Sequence, residues 1–290
     1  MRSNPADYEL LAPASLKAVL SVLAEERGAW RPIAGGTDLM VQYAAGNLAT
    51  RKLVSIWGLP ELRHIEVSPD EVHIGAGSTY TDLRASTIIQ SEFPLLAIAA
   101  SWTGGIANQN RGTIAGNIVN ASPAADSLPA LLVYEAELIL VSVRGERRVP
   151  YATFHTGYRK TRLEPDELIL EVCVRRRYSE YHAYTRKVGP RNAQAISKVC
   201  IAALARLAGG AVDDIRIAMG SVAPVPLRLK KTESTILGSP IDAALVSMAQ
   251  RSTAAEIQAI DDVRSTARYR TAVAGNLVAE FLNQVAGNAP

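Results

Sequence analysis

The chain has 290 residues, of which 48% are apolar and 20% are charged, a composition typical of globular proteins and not of disordered or collagen-like chains. Lys and Arg number 31 against 28 Asp and Glu, so the formal charge of +3 is too small to predict nucleic-acid binding. The first fifteen residues lack a signal-peptide apolar region, and no window approaches the roughly 18 apolar residues of a membrane span. We therefore expect a cytoplasmic protein without a membrane span.

Side chains that bind metals are few in this sequence. Its two cysteines, Cys173 and Cys200, lie in apolar runs and are predicted to be core residues. Two thiolates cannot hold an iron–sulfur cluster or a cysteine-rich zinc site. The histidines are scattered along the chain without a pairing pattern, at positions 64, 73, 155 and 182. We predict no metal ligand and no catalytic residue on this chain, so that redox chemistry must come from a bound group.

The first predicted elements form a small α/β unit. A helix begins at a possible N-cap serine, Ser15, and places apolar residues on one face. In chain order the unit contains that helix over 15–26, a strand over 31–33, a glycine turn over 34–38, a short helix over 39–45 and an extended segment over 52–56.

A second unit restarts the pattern at Val72. It contains a strand ending in Gly75-Ala76-Gly77, a helix capped near Thr81 or Asp82, a helix over 95–102, a stretch rich in Gly and Asn over 104–120, a helix over 128–134, and strands over 137–143, 147–149 and 168–174. The segment between 151 and 165 is predicted to be a basic loop.

Beyond three consecutive arginines at 175–177, strands come before helices. The strands are predicted over 183–188, 199–207 and 215–221, and the helices over 242–250, 253–260 and 269–285. This order indicates a separate α+β domain. We place the boundary near residue 176.

Two turns carry the candidate chemistry. Ala34-Gly35-Gly36-Thr37-Asp38 joins a strand to a helix, where backbone N–H groups can bind phosphate. The stretch from Thr113 to Asp126 combines small residues with amide and hydroxyl side chains, and ends in a carboxylate suited to sugar hydroxyls. The alternative is purely structural: glycines that only permit positive φ, and an Asp126 that only caps the helix at Leu128. Neither turn is a Walker A loop, and Gly75-Ala76-Gly77 is an incomplete Rossmann motif.

Together these motifs resemble the paired FAD signature of the flavin subunit of xanthine dehydrogenase-type molybdenum hydroxylases, a family that includes the medium subunit of carbon monoxide dehydrogenase. The residues that carry the resemblance are 34–39, 113–117 and 122–126, with further agreement at Gly157-Tyr158-Arg159-Lys160-Thr161, at 165–170 and at 261–270. The resemblance spans nearly the whole chain.

The resemblance implies an α+β protein with a two-lobed FAD-binding domain of the vanillyl-alcohol-oxidase (PCMH) type. This domain would cover residues 1–176, with lobes of about 1–57 and 58–176. A C-terminal α+β domain like that of carbon monoxide dehydrogenase flavoproteins, with a three-stranded antiparallel sheet and a helical bundle, would cover 177–290.

The resemblance also assigns the cofactor contacts. Two sets would embrace the FAD pyrophosphate, one formed by Arg31, Pro32, Ile33, Ala34, Gly35, Gly36, Thr37 and Asp38, the other by Thr113, Ile114, Ala115, Gly116 and Asn117. Asp126 would bond the sugar-like part, Ile169 would pack on the isoalloxazine ring, Lys187 would approach its polar edge, and Thr103 would lie near the adenine. Ala115 replaces the family's usual glycine, which requires a negative φ at that residue.

The implied partners are a large molybdopterin subunit and a small subunit with two 2Fe–2S clusters, assembled as a dimer of heterotrimers. Electrons would pass from those clusters through FAD to NAD, oxygen, a quinone or a cytochrome.

Arg191 either steers an anionic NAD or is a plain surface charge. The basic clusters near 144–148, 159–162, 175–177 and 228–231 are either solvated or contact acidic partner surfaces. Two other functions stay open: a self-contained FAD oxidase, and a nucleotide-binding module without redox activity.

Overall fold

A computed structural model describes residues 4–191 and 194–287. The strands are β1 (Glu9–Leu11), β2 (Trp30–Ile33), β3 (Lys52–Ser55), β4 (Ile65–Val67), β5 (Glu71–Gly75), β6 (Glu137–Ser142), β7 (Gly145–Pro150), β8 (His155–Gly157), β9 (Lys160–Thr161), β10 (Leu168–Arg175), β11 (His182–Val188), β12 (Val199–Ala208), β13 (Ala211–Gly220) and β14 (Leu227–Arg228).

The helices of the described residues are α1 (Leu16–Glu25), α2 (Leu39–Ala44), α3 (Tyr80–Ala85), α4 (Thr87–Glu92), α5 (Pro94–Trp102), α6 (Ile106–Gln109), α7 (Ile114–Asn120), α8 (Leu128–Val133), α9 (Lys230–Ile236), α10 (Ala243–Glu256) and α11 (Ala267–Val285).

Two sheets organise the N-terminal part of the chain. A three-stranded parallel sheet has the order β1-β3-β2, so the first glycine turn leaves the end of its edge strand β2. A five-stranded antiparallel sheet has the order β4-β5-β10-β6-β7. Alternate residues of its central strands, such as Val72, Ile74 and Val172, are fully buried in the main core. The other face of this sheet carries polar side chains, because side chains alternate along a strand.

The C-terminal part is a four-stranded antiparallel sheet covered by helices. Its order β11-β12-β13-β14 contains the three predicted strands and adds the two-residue β14 at one edge. One face buries Ile201 and Ile217 against Phe281 of α11, while Ala202 and Leu204 face the main core. The sheet therefore lies between the helices behind it and the N-terminal part in front of it.

Several element boundaries differ from the sequence prediction. The helices predicted over 242–250 and 253–260 are one helix, α10, because Leu245, Ala249 and Thr253 lie four residues apart on one buried face. The residues after Glu256 leave the helix.

The helix predicted to be capped near Thr81 or Asp82 begins earlier. Its N-cap is Thr79, whose Oγ1 accepts a hydrogen bond from the Asp82 N–H while Asp82 accepts one from the Thr79 N–H, a capping box. Helices α4, α6, α7 and α9 and strands β1 and β4 were not predicted, and the segment predicted to be a basic loop over 151–165 contains the β8–β9 hairpin. Both cysteines are buried, as predicted. Among the described residues, no helix combines the length and apolarity needed to cross a bilayer.

Candidate functional site

The first glycine turn is shaped by two close approaches of the backbone. Gly36 has a φ of +77°, in the left-handed region that favours glycine. A Cβ on Gly35 would lie 1.5 Å from the carbonyl oxygen of Arg111. The turn therefore requires both glycines, one for its conformation and one because another part of the chain packs directly on it.

The second turn begins helix α7. Thr113 is its N-cap, and its Oγ1 accepts a hydrogen bond of 3.1 Å from the Gly116 N–H. The Ile114 N–H donates to the Ser78 carbonyl (3.0 Å), and the Ala115 N–H donates to the Ala76 carbonyl (3.3 Å). The N–H groups of 114–116 therefore already have partners inside the protein. This turn offers a ligand small residues and the Asn117 side chain instead.

The two turns are in contact, and Arg111 joins them. Its carbonyl packs on Gly35, and its side-chain Nε donates to the Gly35 carbonyl at 3.4 Å. The guanidinium lies 3.9 Å from the centre of the Trp57 ring, a cation–π arrangement that orients the charge. The sequence prediction missed Arg111, although a cation two residues before Thr113 was a usable signal for an anion site.

A cleft of about 560 Å³ continues from the second turn, a volume within the usual range for small-molecule sites. Three predicted residues line it: Thr103, Asn117 and Asp126. The remaining lining comes from Gly104, Asn108, Asn120, 122–125, Tyr158, Arg159, 194–196 and Arg264. The motifs at 157–161 and 261–270 thus reach the same cleft as the second turn.

Asp126 and Lys187, predicted as separate cofactor contacts, form a buried ion pair. Lys187 Nζ lies 2.6 Å from Asp126 Oδ2, and less than a tenth of either side chain is exposed. Lys187 also donates to the Trp102 carbonyl at 3.0 Å, and Ser197 Oγ donates to the other Asp126 oxygen. Burial raises the pKa of Asp126, and the Lys187 charge opposes that rise. Asp126 is therefore not an N-cap; Ser127 precedes α8.

A second buried network, around Arg270, is linked to this ion pair through Ser197. Arg270, 1% exposed, donates to the carbonyls of Lys198 (2.7 Å) and Ser221 (3.0 Å) and to Asp262 (2.7 Å). Ser221 Oγ in turn donates to the Ser197 carbonyl at 3.0 Å. The 261–270 motif, recognised in the sequence only by its resemblance, therefore positions the segment that carries Ser197.

The other predicted residues have mixed locations. Arg31, Pro32 and Ile33 belong to strand β2, which leads into the first turn. Thr103 follows α5 and donates from Oγ1 to the Ala99 carbonyl. Ile169 is 3% exposed and belongs to the main core, so its contact with a flavin ring stays a prediction.

Ala115 is helical with a negative φ, as its methyl group requires.

Most of the basic clusters are paired within the chain. Arg147 binds Glu167, Arg148 binds Glu71 and Glu137, Arg176 binds Glu92, and further ion pairs join Arg144 to Asp166, Arg177 to Glu135 and Arg228 to Glu233. These arginines therefore stabilise the fold, and the exposed Arg159 at the cleft is the better candidate for an external contact.

Comparison with known families gives two matches that together cover most of the chain. Residues 6–174 match the family described as the FAD binding domain in molybdopterin dehydrogenase. Residues 184–285 match the CO dehydrogenase flavoprotein C-terminal domain.

Similar proteins agree over nearly their full lengths. The xanthine dehydrogenase FAD-binding subunit of Escherichia coli O157:H7 is 33% identical, with 89% of this chain and 88% of the relative covered. The carbon monoxide dehydrogenase medium chain of Hydrogenophaga pseudoflava is 31% identical, covering 96% and 97%. A solved structure of carbon monoxide dehydrogenase from Hydrogenophaga pseudoflava superposes with a TM-score of 0.92 at 31% identity, covering 98% of both chains.

Proposed function

Because this chain belongs to the family of FAD-binding subunits of xanthine dehydrogenase and carbon monoxide dehydrogenase type molybdenum hydroxylases, we propose that it relays electrons within a larger complex. The electrons come from two 2Fe–2S clusters on a small partner subunit, pass through FAD on this chain, and leave to NAD or another acceptor. A large partner subunit holds the molybdopterin and hydroxylates the substrate.

The observation that carries the proposal is the direct contact of the first glycine turn with Arg111, which leads into the second turn, whose Asn117 lines a cleft. The first turn has Gly36 in the left-handed region and leads into helix α2, so its backbone can approach a ligand closely. Arg111 adds a positive charge between the turns. This set fits a diphosphate, and the cleft of amide and hydroxyl groups fits the polar chain of a flavin dinucleotide.

When bound, FAD supplies redox chemistry, while the protein supplies binding and electrostatics. We assign the diphosphate to the first turn and Arg111, and the small residues of the second turn to close packing along the same group. Lys187 presents a buried positive charge held by Asp126 and the Trp102 carbonyl. A fixed cation at this place stabilises added negative charge nearby without having to reorganise.

The names of relatives support the partner assignment, since several are called medium chains or subunits. We propose a dimer of heterotrimers in the cytoplasm.

We also propose that the domain boundary lies near residue 176, which falls between the two regions matched by the family models. For the acceptor we propose NAD, steered by the exposed Arg191, whose guanidinium donates to the Gln194 carbonyl at 2.7 Å.

The test is isolation of the native complex, followed by subunit, metal and flavin analysis. We expect three chains, one FAD for each copy of this chain, and molybdenum and iron that leave with the partners on dissociation. The isolated chain should keep the flavin spectrum but should not bleach with substrate. Bleaching by substrate without partners would support the self-contained oxidase, and a colourless chain that cannot be loaded with FAD would contradict the proposal.

The acceptor is tested by reducing the complex and adding NAD or oxygen. We expect NAD to reoxidise the flavin of the wild-type complex rapidly. The Arg191→Gln variant should have a higher KM for NAD, and its reoxidation by oxygen should be unchanged. Reoxidation only by oxygen would overturn the NAD assignment alone.

A further inference from the structure

A group of metal-binding side chains lies on the polar face of the five-stranded sheet. His73 of β5 and Cys173 of β10 are directly opposite each other across neighbouring strands. The side chains of Glu71, His73 and Cys173 bring one ligand atom each within 4.8 Å of the others. The sequence alone predicts no metal site, because Cys173 is about 100 positions from His73 and only the strand pairing brings the two together.

With Glu171 of β10 as the third ligand, two of the three separations between ligand atoms match those around a tetrahedral ion. Cys173 Sγ lies 3.5 Å from His73 Nδ1 and 3.5 Å from Glu171 Oε1, and Nδ1 lies 2.8 Å from that oxygen. A tetrahedral zinc ion with bonds of about 2.3 Å to sulfur and about 2.0 Å to nitrogen or oxygen holds such ligands about 3.3 to 3.6 Å apart. The sulfur distances already match, and the nitrogen–oxygen distance needs to open by about half an ångström.

From this geometry we propose that Cys173, His73 and Glu171 bind one divalent transition-metal ion of the zinc class, with water in the fourth position. A thiolate and one carboxylate exactly neutralise the ion, and the thiol proton is released to solvent when it binds. The nearby carboxylate of Glu71 does not add an unbalanced charge, because Arg148 contacts both of its oxygens at 3.1 and 2.9 Å.

Two outer contacts orient the ligands as in known metal sites. His73 Nε2, the ring nitrogen away from the site, lies 3.9 Å from Glu71 Oε2. His64 Nε2 lies 3.3 Å from the second oxygen of Glu171. In the metal-free chain Nδ1 donates to Glu171 Oε1 at 2.8 Å and so carries the ring proton. Metal binding replaces that hydrogen bond and moves the ring proton to Nε2, which faces the Glu71 carboxylate, while the second contact holds the Glu171 carboxylate in place. The ion would tie β5 to β10 at the centre of the sheet.

The test is a titration of the full-length, reduced and chelator-treated chain with Co²⁺, followed by displacement with Zn²⁺. We expect one equivalent to bind with a sulfur-to-cobalt charge-transfer band and the visible bands of a tetrahedral ion. The Cys173→Ser variant should lose the charge-transfer band, and His73→Ala should weaken binding at least tenfold. Glu71→Gln should weaken it roughly tenfold, as expected for an outer contact.

The matched controls are Cys200→Ala, which removes the other buried thiol, and His182→Ala, which removes an exposed histidine. Both should leave the Co²⁺ titration unchanged. X-ray absorption of the zinc-loaded wild-type chain needs no variant and should show one sulfur neighbour. Absence of a sulfur neighbour, or a charge-transfer band that survives in Cys173→Ser, would overturn the proposal.

Discussion

Two regions near the cleft are built from different groups, and we call them the backbone wall and the charged wall. The backbone wall, around Gly35 and Thr113, is made of turns, where the important property is how closely two main chains approach. The charged wall is made of two buried ion pairs, Asp126 with Lys187 and Asp262 with Arg270, and Asp126 also lines the cleft. The first kind of wall is specified by a few adjacent residues, whereas the second depends on pairs brought together from distant parts of the chain.

The largest expected effect is on the charged wall. Asp126→Ala leaves the Lys187 ammonium buried without its carboxylate, so the free energy of unfolding should fall by about 3 to 5 kcal/mol in a urea titration. The double variant Asp126→Asn with Lys187→Met removes both charges and should recover most of that loss. A loss below about 1 kcal/mol in the single variant would show that the pair is not buried as described.

A Cβ in the backbone wall should have the next largest effect. Gly35→Ala places a methyl group against the Arg111 carbonyl, so the two turns must separate, and we expect a loss of about 3 kcal/mol together with weaker FAD binding. Gly58→Ala is the control, because a Cβ there meets nothing within 4 Å. Thermal unfolding and flavin fluorescence measure the two effects. Equal behaviour of both variants would contradict the contact between the turns.

Acid sensitivity should arise from the network behind the charged wall. Although partial burial raises the pKa of Asp262, hydrogen bonds from Arg264 and the charges of Arg264 and Arg270 lower it more, and the net pKa lies well below its usual range. Below about pH 4 the unfolded state gains a proton that the folded state does not, so stability is lost as the pH falls.

The Asp262→Asn variant should be less stable than the wild type at pH 7, by about 2 kcal/mol, and should lose less stability between about pH 4 and pH 2. Urea midpoints at several pH values measure both effects. Parallel pH profiles of the two proteins would argue against this role for Asp262.

The smallest effect concerns Ala115, where the family usually has glycine. Ala115→Gly in helix α7 should lower stability by about 0.5 to 1 kcal/mol, because glycine loses more conformational freedom in a helix. FAD affinity should not change, since the Ala115 N–H donates to the Ala76 carbonyl in either case. A gain in stability would mean that the methyl group is strained.

Local patterns predicted many of the elements and the first glycine turn. Helix α1 with its Ser15 cap and the strand–turn–helix at 30–44 follow from capping, periodicity and glycine placement. The single helix α10 is predicted as two, and the polar Thr253, at which the second is predicted to begin, is buried within it. The sequence gives no sign that a polar residue faces the core until the packing partner is known.

By itself, the sequence determined many of the strands and helices, the burial of both cysteines, and the glycine turn that joins strand β2 to helix α2. These properties depend on neighbours within a few residues. Only the tertiary structure decided that Lys187 pairs with Asp126, that Arg270 supports Ser197 from behind, and that His73 faces Cys173. Such contacts depend on strand register and sheet packing. Both are determined by many weak interactions across the whole core, so no single motif predicts them.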